Sequence, residues 1–580
     1  MNNLKKIEKI RHSLAHVLAY AIDELFNDVK FGMGPAVDNG FYYDFEFKKE
    51  DISKEDLPKI EKKMKELIKK DIKFKKEKVS REKAKKLFKN QPYKLNLLEE
   101  IEDDQISIYR SGEFIDLCKG PHIKSSKEIN LKSFTLTKIA GAYFKGNEEN
   151  EMLTRIYGLA FENKKKLKEY QKKLEEAKKR DHRKIGKNLK LFMFDKEVGQ
   201  GLPLYLPKGA RVRHLLIDFA LTTYLNRGYE LVSSPHIGSE ELWQHSGHLK
   251  FYKEDMYGPI EVDGDKYRLK PMNCPFHIKM YKDEIRSYRD LPIRWAEMGT
   301  VYRYEKSGEL HGLTRPRGFT QDDAHIFCTK EQLEDEILEA LKITKYIYHT
   351  LGMEDLIFKL SIRDPEELNK YFGTDEQWNK AEDSLKKALK EFNQSDYELD
   401  EGGAAFYAPK IDIDAVDAMG RRWQLSTIQI DFNLPSKFNL EYINENGEKE
   451  TPFMIHRALL GSIERFLGVY IEHTKGNFPL WLAPEQVWII PIADDHEEYV
   501  EKVAQKLKEN DVRVNIKRED KTLSKKIRKG EIMKIPYLLV VGNNEVEDNS
   551  VSIRFENEDK GTQKVDSFIK EITKKIKNKK

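Results

Sequence analysis

Residues 159–190, LAFENKKKLKEYQKKLEEAKKRDHRKIGKNLK, divide this chain more firmly than any other stretch of it. They are strong helix formers with hardly any breaker, and leucine or tyrosine comes only every few residues. That pattern predicts a long, mostly solvated helix that joins domains and fills no core. A chain of 580 residues is too long for one core in any case, so about three to five domains are expected.

The texture changes on either side of the linker. Residues 1–158 mix short strands (GFYYDFEF, SIYRSGEFIDL) with lysine-rich helices around 53–90. Residues 191–481 hold most of the tryptophan, glycine and aromatic content in many short strand-like runs. Residues 482–580 alternate strand and helix: VWIIPI, a helix near 496–509, VRVNIK, a helix near 523–533, YLLVVG, VSIRF and a final helix. Such alternation predicts a small α/β domain.

Net charge is +4 with 35% of residues charged, which neither requires nor excludes a nucleic-acid partner, because local patches decide that. Three cysteines, Cys118, Cys274 and Cys328, are too few and too scattered for a disulfide framework and point to a reducing compartment. Runs such as VWIIPIA and PYLLVVG fall far short of a membrane span, and the N-terminus lacks a signal-peptide core. A cytoplasmic protein with no membrane partner is expected.

In IRHSLAH, His12 and His16 stand four apart on one helix face; DLCKGPH repeats the spacing with Cys118 and His122. Spacing alone makes these four a zinc set. Residues 291–328 place Arg303, Arg315 and Arg317 on two strand-like runs and the polar loop between them. Guanidinium groups so arranged suit a polyphosphate clamp, although an arginine-rich hairpin also serves as plain surface. HRALLGSIERFLGVYIE is helical, with Gly461 and Ser462 giving close packing and Arg465 one turn beyond.

These last two segments resemble motifs 2 and 3 of class II aminoacyl-tRNA synthetases. RGFTQDDAHIF and KPMNCP resemble the bacterial threonyl-tRNA synthetase family, which RHSLAH, GFYYD, DLCKGPH, AGAYFKG and RDHRKIGK match elsewhere in the chain. The resemblance implies an α+β multidomain fold. An editing domain (1–158) and linker helix (159–190) precede an antiparallel class II catalytic sheet of six or seven strands (191–481) and an α/β anticodon-binding domain (482–580). It also implies a homodimer, with motif 1 in a helix near 208–227 and a strand ending at Pro235. So few residues precede His12 that the ubiquitin-like module of most bacterial members is expected to be absent.

The implied reaction is ATP-dependent ligation of L-threonine to threonine tRNA through an adenylate, with hydrolytic editing of seryl-tRNA. By resemblance Arg303 holds the α-phosphate, Glu305 contacts adenine, Arg315 takes the γ-phosphate and Arg465 stacks on the adenine, with Mg2+ accompanying ATP. Arg303 and Arg465 are the implied catalytic pair, acting by positioning and charge neutralisation. Cys274, His325 and His456 are the implied ligands of one zinc per subunit, with an open fourth position. Asp323 is expected to meet the amino group, and Gln321, Tyr407 and Gln424 to line the pocket. His12, His16, Cys118 and His122 become, by the same resemblance, a metal-free editing site assisted by Asp116 and Tyr43. Arg528, Glu545 and Arg554 are the candidate anticodon readers. Cys328 reads as a small buried side chain. Phe276, where a glycine is common, and Pro316 depart from the family pattern and are expected to alter loop dynamics. An RNA-binding paralogue without synthetase activity is disfavoured because Arg303, Arg315 and Arg465 are all present; a freestanding editing hydrolase would lack the central region.

Overall fold

The computed structural model describes residues 2–48, 52–147, 149–394, 396–405 and 407–579. They form two compact units, 1–176 and 177–580. No helix of the described residues is long and apolar enough to cross a membrane.

The first unit opens with α1 (Asn2–Leu25), whose middle turns are wholly buried at Leu14, Ala15, Val17, Leu18 and Ile22. Strands β1 (Val29–Phe31) and β2 (Gly40–Phe47) follow, then α2 (Leu57–Lys69), which buries Ile60, Met64, Leu67 and Ile68 at helical spacing. β3 (Phe74–Ser80) lies inside the lysine-rich stretch read as helical. Phe74 and Val79 are buried there while Lys75, Lys76 and Lys78 stay in solvent. β4 (Gln105–Ser111), β5 (Phe114–Leu117), β6 (Phe134–Tyr143) and β7 (Met152–Ala160) complete two sheets, ordered β1-β2-β7-β6 and β3-β4-β5.

The linker is not one helix. β7 runs to Ala160, α3 covers Lys164–Arg180, and α4 covers His182–Leu189. α3 is largely solvated, as its composition requires. The break falls at Asp181, which leaves helical backbone and accepts the Arg183 N–H as the cap of α4. The next residue, His182, is fully buried. Its Nδ1 lies 2.7 Å from Glu472 Oε1 and its Nε2 accepts the Leu313 N–H at 3.0 Å, so burial of the ring ends the solvated helix.

The central sheet is built from β8 (Glu230–Leu231), β9 (Ile293–Tyr302), β10 (Gly318–Cys328), β11 (Leu356–Ile362), β12 (Glu398–Glu401), β13 (Lys410–Val416), β14 (Arg422–Asp431) and β15 (Phe453–Ser462). The order is β8-β9-β10-β15-β14-β13-β11-β12. The six inner strands are antiparallel; the short edge strands β8 and β12 pair parallel, and they raise the expected six or seven to eight. Helices α5 (Pro207–Leu225), α7 (Leu333–Thr350) and α8 (Ile463–Thr474) share the largest core with Ala324, Ile326 and Cys328 of β10. α6 (Cys274–Tyr281) belongs to a separate core with Phe327 and Met454. Phe276 therefore sits in a helix, packed on Trp243, and not in a loop.

The C-terminal region follows the expected alternation: β16 (Val487–Pro491), α9 (Glu497–Glu509), β17 (Val514–Ile516), α10 (Leu523–Ile532), β18 (Tyr537–Val541), β19 (Ser550–Phe555) and α11 (Val565–Lys577). The unexpected strand, β20 (Glu558–Lys564), is almost wholly exposed and so carries no alternating pattern to read. The sheet order is β17-β16-β18-β19-β20.

Behind the central sheet Asp322 and Arg457 are each 1% exposed. Asp322 accepts the Tyr224 hydroxyl and the N–H groups of Leu459 (3.0 Å) and Leu460 (2.8 Å). The Arg457 guanidinium lies between the rings of Tyr224 and Tyr229, 3.9 and 4.3 Å from their centroids. Removing the Asp322 carboxylate leaves the Tyr224 hydroxyl and two buried N–H groups without their acceptor and withdraws the charge that acts on Arg457. Asp322→Ala should therefore lower the unfolding free energy of this unit by about 3–5 kcal/mol in urea titrations. Asp322→Leu/Arg457→Met should recover much of that loss. A cost below about 1 kcal/mol, that of an exposed pair, would show that Asp322 does not compensate Arg457.

Candidate functional site

Strand alternation sends Gln321, Asp323 and His325 of β10 to the face opposite α5, α7 and α8. The ladder sets His325 opposite His456 of β15, and His456 opposite Gln429 of β14. A cavity of about 520 Å³ opens there, lined by Cys274, His325, His456, Asp323, Gln321, Tyr407 and Gln424 and reached by Arg303, Glu305, Arg315 and Arg465. Every residue expected in the ATP, zinc and amino-acid sites thus meets in one place.

One ligand atom each from Cys274, His325 and His456 lies within 4.8 Å of the others. One sulfur and two imidazole nitrogens suit a zinc ion with a position left open. The remaining ring nitrogens are engaged: His456 Nε2 lies 2.9 Å from Asp431 Oδ2, and His325 Nδ1 lies 2.8 Å from His277 Nδ1. Backing of this kind is common behind metal-binding histidines. Burial pushes the Cys274 thiol up and the His325 imidazole down. The donor set therefore fits the metal that the resemblance implies.

Two glycines shape the cavity. A Cβ on Gly299 of β9 would come within 2.3 Å of the Asn273 amide, so glycine there makes room for Asn273, which donates to Asp323 Oδ2 at 2.9 Å. Gly461 has φ +72°, and a Cβ would meet the Leu425 carbonyl at 2.3 Å. This turn carries β15 into α8, where Ser462 accepts the Arg465 N–H at 3.1 Å as the helix cap. Arg465 is thereby aimed into the cavity, and its buried Nε has no hydrogen-bond partner. Arg303 is held differently, with Nε 3.4 Å from the Pro271 carbonyl and its guanidinium over Phe319. Arg315 pairs with Glu305 (2.6 Å) and Glu309 (2.7 Å).

The first unit gathers His12, His16, Cys118 and His122 just as closely, with one ligand atom of each within 4.8 Å of the rest. Cys118 Sγ lies 3.4 Å from His12 Nε2 and 3.3 Å from His122 Nε2. Burial depresses all three imidazoles and pushes the Cys118 thiol up to about 11, so the cluster is neutral. Asp116 lies 3.6 Å from His16 Nε2, accepts the Tyr43 hydroxyl at 2.6 Å and pairs with the buried Lys94. Lys94 also donates to the Tyr43 oxygen at 3.0 Å.

The anticodon candidates are less concentrated. Arg554 on β19 lies 3.6 Å from Glu531 of α10, Arg528 is exposed one turn before Glu531, and Glu545 accepts the Gly542 N–H at 2.9 Å. They form no hydrogen-bonded cluster among the described residues. Sequence reasoning missed Asn273, His277, Glu297, Asp431 and Lys94. His277 alone left a local signal, three residues after Cys274 on one helix face.

Residues 257–474 match the tRNA synthetase class II core domain (G, H, P, S and T), and 486–577 match an anticodon binding domain. Residues 106–157 match the threonyl and alanyl tRNA synthetase second additional domain. A threonine–tRNA ligase of Sulfurihydrogenibium sp. is 50% identical over 99% of this chain and 89% of its own length. That of Aquifex aeolicus is 49% identical over 99% and 90%. Among solved structures, the RNA binding domain of threonyl-tRNA synthetase from Cryptosporidium parvum is 42% identical with a TM-score of 0.64, covering 68% of this chain and 98% of that one. With its two histidine-bearing clusters, its arginine-lined cavity and relatives aligned along nearly its full length, the chain belongs to the threonine–tRNA ligase family of class II synthetases.

Proposed function

We propose that the cavity around Cys274, His325 and His456 activates L-threonine with ATP, and that the cluster around His12, His16, Cys118 and His122 hydrolyses seryl-tRNA. The chain's reaction is the family's: threonine and ATP form an adenylate, and the threonyl group passes to threonine tRNA. What carries the residue-level reading is the convergence of one thiol, two imidazoles and three arginines from distant segments on one cavity.

Asp323, held by Asn273, receives the threonine amino group, with Gln321, Tyr407 and Gln424 around the side chain. Arg303 meets the α-phosphate, where the threonine carboxylate attacks in line as pyrophosphate leaves. Its charge offsets the charge gathering on that phosphorus. Arg465 stacks on adenine, Arg315 exchanges Glu305 and Glu309 for the γ-phosphate, and the freed Glu305 turns to adenine. ATP brings Mg2+ with it. When bound by Cys274, His325 and His456, zinc would supply two-point recognition of the threonine amino and hydroxyl groups, and valine has only the first of these. Serine keeps that hydroxyl and loses only a methyl, worth about 1–3 kcal/mol, so a second sieve is needed. A neutral pocket of imidazoles and a thiol can hold water and the terminal ribose for that hydrolysis, with Asp116 and Tyr43 in support. Arg528, Glu545 and Arg554 read the anticodon. Leu225, Leu231 and Ile237, exposed in one chain at the end of α5 and beyond it, support a homodimer through this region. Three free cysteines support a reducing, cytoplasmic setting.

Threonine-dependent ATP–pyrophosphate exchange should fall by about 100- to 1,000-fold or more in Arg303→Ala, as for loss of one transition-state donor. Exchange driven by a different amino acid in the wild type would refute the activation reading. Metal analysis should find one zinc per chain, lost in Cys274→Ala and kept in Cys118→Ala. Two equivalents would make the N-terminal cluster a metal site. His12→Ala/His16→Ala should charge threonine normally yet hydrolyse pre-formed seryl-tRNA far more slowly than wild type. Equal deacylation by both folded proteins would remove the editing assignment.

A further inference from the structure

Both histidines of the central cluster are backed by a carboxylate, but not in the same way. Asp431 touches His456 directly, whereas between His325 and Glu297 stands a third imidazole, His277, which has no exposure at all. Glu297 is 6% exposed. It accepts the Ser234 N–H (2.9 Å) and hydroxyl (2.6 Å) and lies 3.6 Å from the buried Lys270 ammonium. Burial works against its ionisation, yet His277 and Ser234 hold the carboxyl down at about 2, so it is an acceptor.

His277 Nε2 faces Glu297 Oε1 at 3.3 Å, too poorly aligned for a full hydrogen bond but next to a negative charge. His277 Nδ1 lies 2.8 Å from His325 Nδ1, so the carboxylate and the two rings form one chain. His325 Nε2 lies on the side of Asp323, 3.8 Å from its Oδ1.

We propose that Glu297 and His277 are positioning residues for zinc: His277, protonated on Nε2 toward Glu297, accepts from His325 Nδ1 and so turns the His325 Nε2 lone pair into the site. This inference rests on the reading of Cys274, His325 and His456 as zinc ligands. The relay keeps one coordination direction fixed before metal arrives. Partners of this kind typically change metal affinity by about 10- to 100-fold when removed.

The test is competition for zinc between the purified protein and a chromophoric chelator, using wild type, His277→Asn, His277→Gln and Glu297→Gln. The asparagine oxygen can stand where Nδ1 stood and still accept from His325. The glutamine amide reaches toward Glu297 and leaves His325 without an acceptor. Expected are near wild-type zinc retention in His277→Asn and an affinity about 10- to 100-fold weaker in His277→Gln, with Glu297→Gln between them. Equal affinity in His277→Gln and wild type overturns the relay while leaving the zinc reading intact; so does equal loss in both His277 variants when both are folded. A wild-type protein without zinc instead refutes the underlying reading. Neutron diffraction from wild-type crystals needs no variant to fold. Deuterons on His325 Nδ1 and His277 Nε2 are expected, and a deuteron on His277 Nδ1 overturns the proposal.

Discussion

The site depends on one ladder, the antiparallel register of β10, β15 and β14. His325 faces His456, Asp323 faces Ala458, and Thr427 of β14 faces Ala458 from the other side. Side chains alternate between faces, so a slip of one residue would send Asp323 and His325 into the apolar core and bring Asp322 and Ala324 to the cavity. The reverse face opposes that slip. Asp322 is bound to two backbone N–H groups of β15, and Arg457 lies between two tyrosine rings. The polar groups buried behind the sheet thus specify the register that the front of the sheet uses.

The two Cys/His clusters show how little residue type alone decides. Both bring ligand atoms within 4.8 Å, and burial pushes the thiols Cys118 and Cys274 up and the imidazoles of His16 and His325 down. They differ in what the nearest carboxylates do. In the central cluster Asp431 reaches His456 directly and Glu297 reaches His325 through His277, while Asp323 accepts from Asn273 and lies 3.8 Å from His325 Nε2. In the N-terminal cluster Asp116 divides itself between Tyr43, Lys94 and His16, a network that locks the carboxylate in place. The first arrangement suits the orientation of ligands in the zinc site proposed above. The second walls a neutral pocket.

Local signals made parts of the chain legible. GFYYDFEF forms β2, the C-terminal alternation gives β16 to α11 in the expected order, and IRHSLAH lies on one helix as its spacing required. Features set by partners distant in sequence were hidden. Cys274, His325 and His456 have no spacing to notice, and only the resemblance brought them together. The break at Asp181 was hidden too, because His182 takes its partners from Glu472 and Leu313, and a helix-forming composition reports nothing about them. β3 was lost among lysines, since only Phe74 and Val79 of that strand are buried.

The three arginines differ in how far each is already committed. Arg303 is part-buried and Arg465 has an unmet Nε, and neither guanidinium is spent on an ion pair among the described residues. Arg315 is half-exposed and spends its guanidinium on Glu305 and Glu309. Exposed pairs of that kind contribute only about 0–1 kcal/mol, so giving them up for a phosphate costs little. On the roles proposed for these arginines, the cavity has charge in place where the α-phosphate reacts and is adaptable where the γ-phosphate must enter and, as pyrophosphate, leave. Rigidity at the reacting atom lowers the barrier, because charges already in place need no reorganisation. Equal rigidity at the far end would hold the leaving group, and a weak surface pair avoids that.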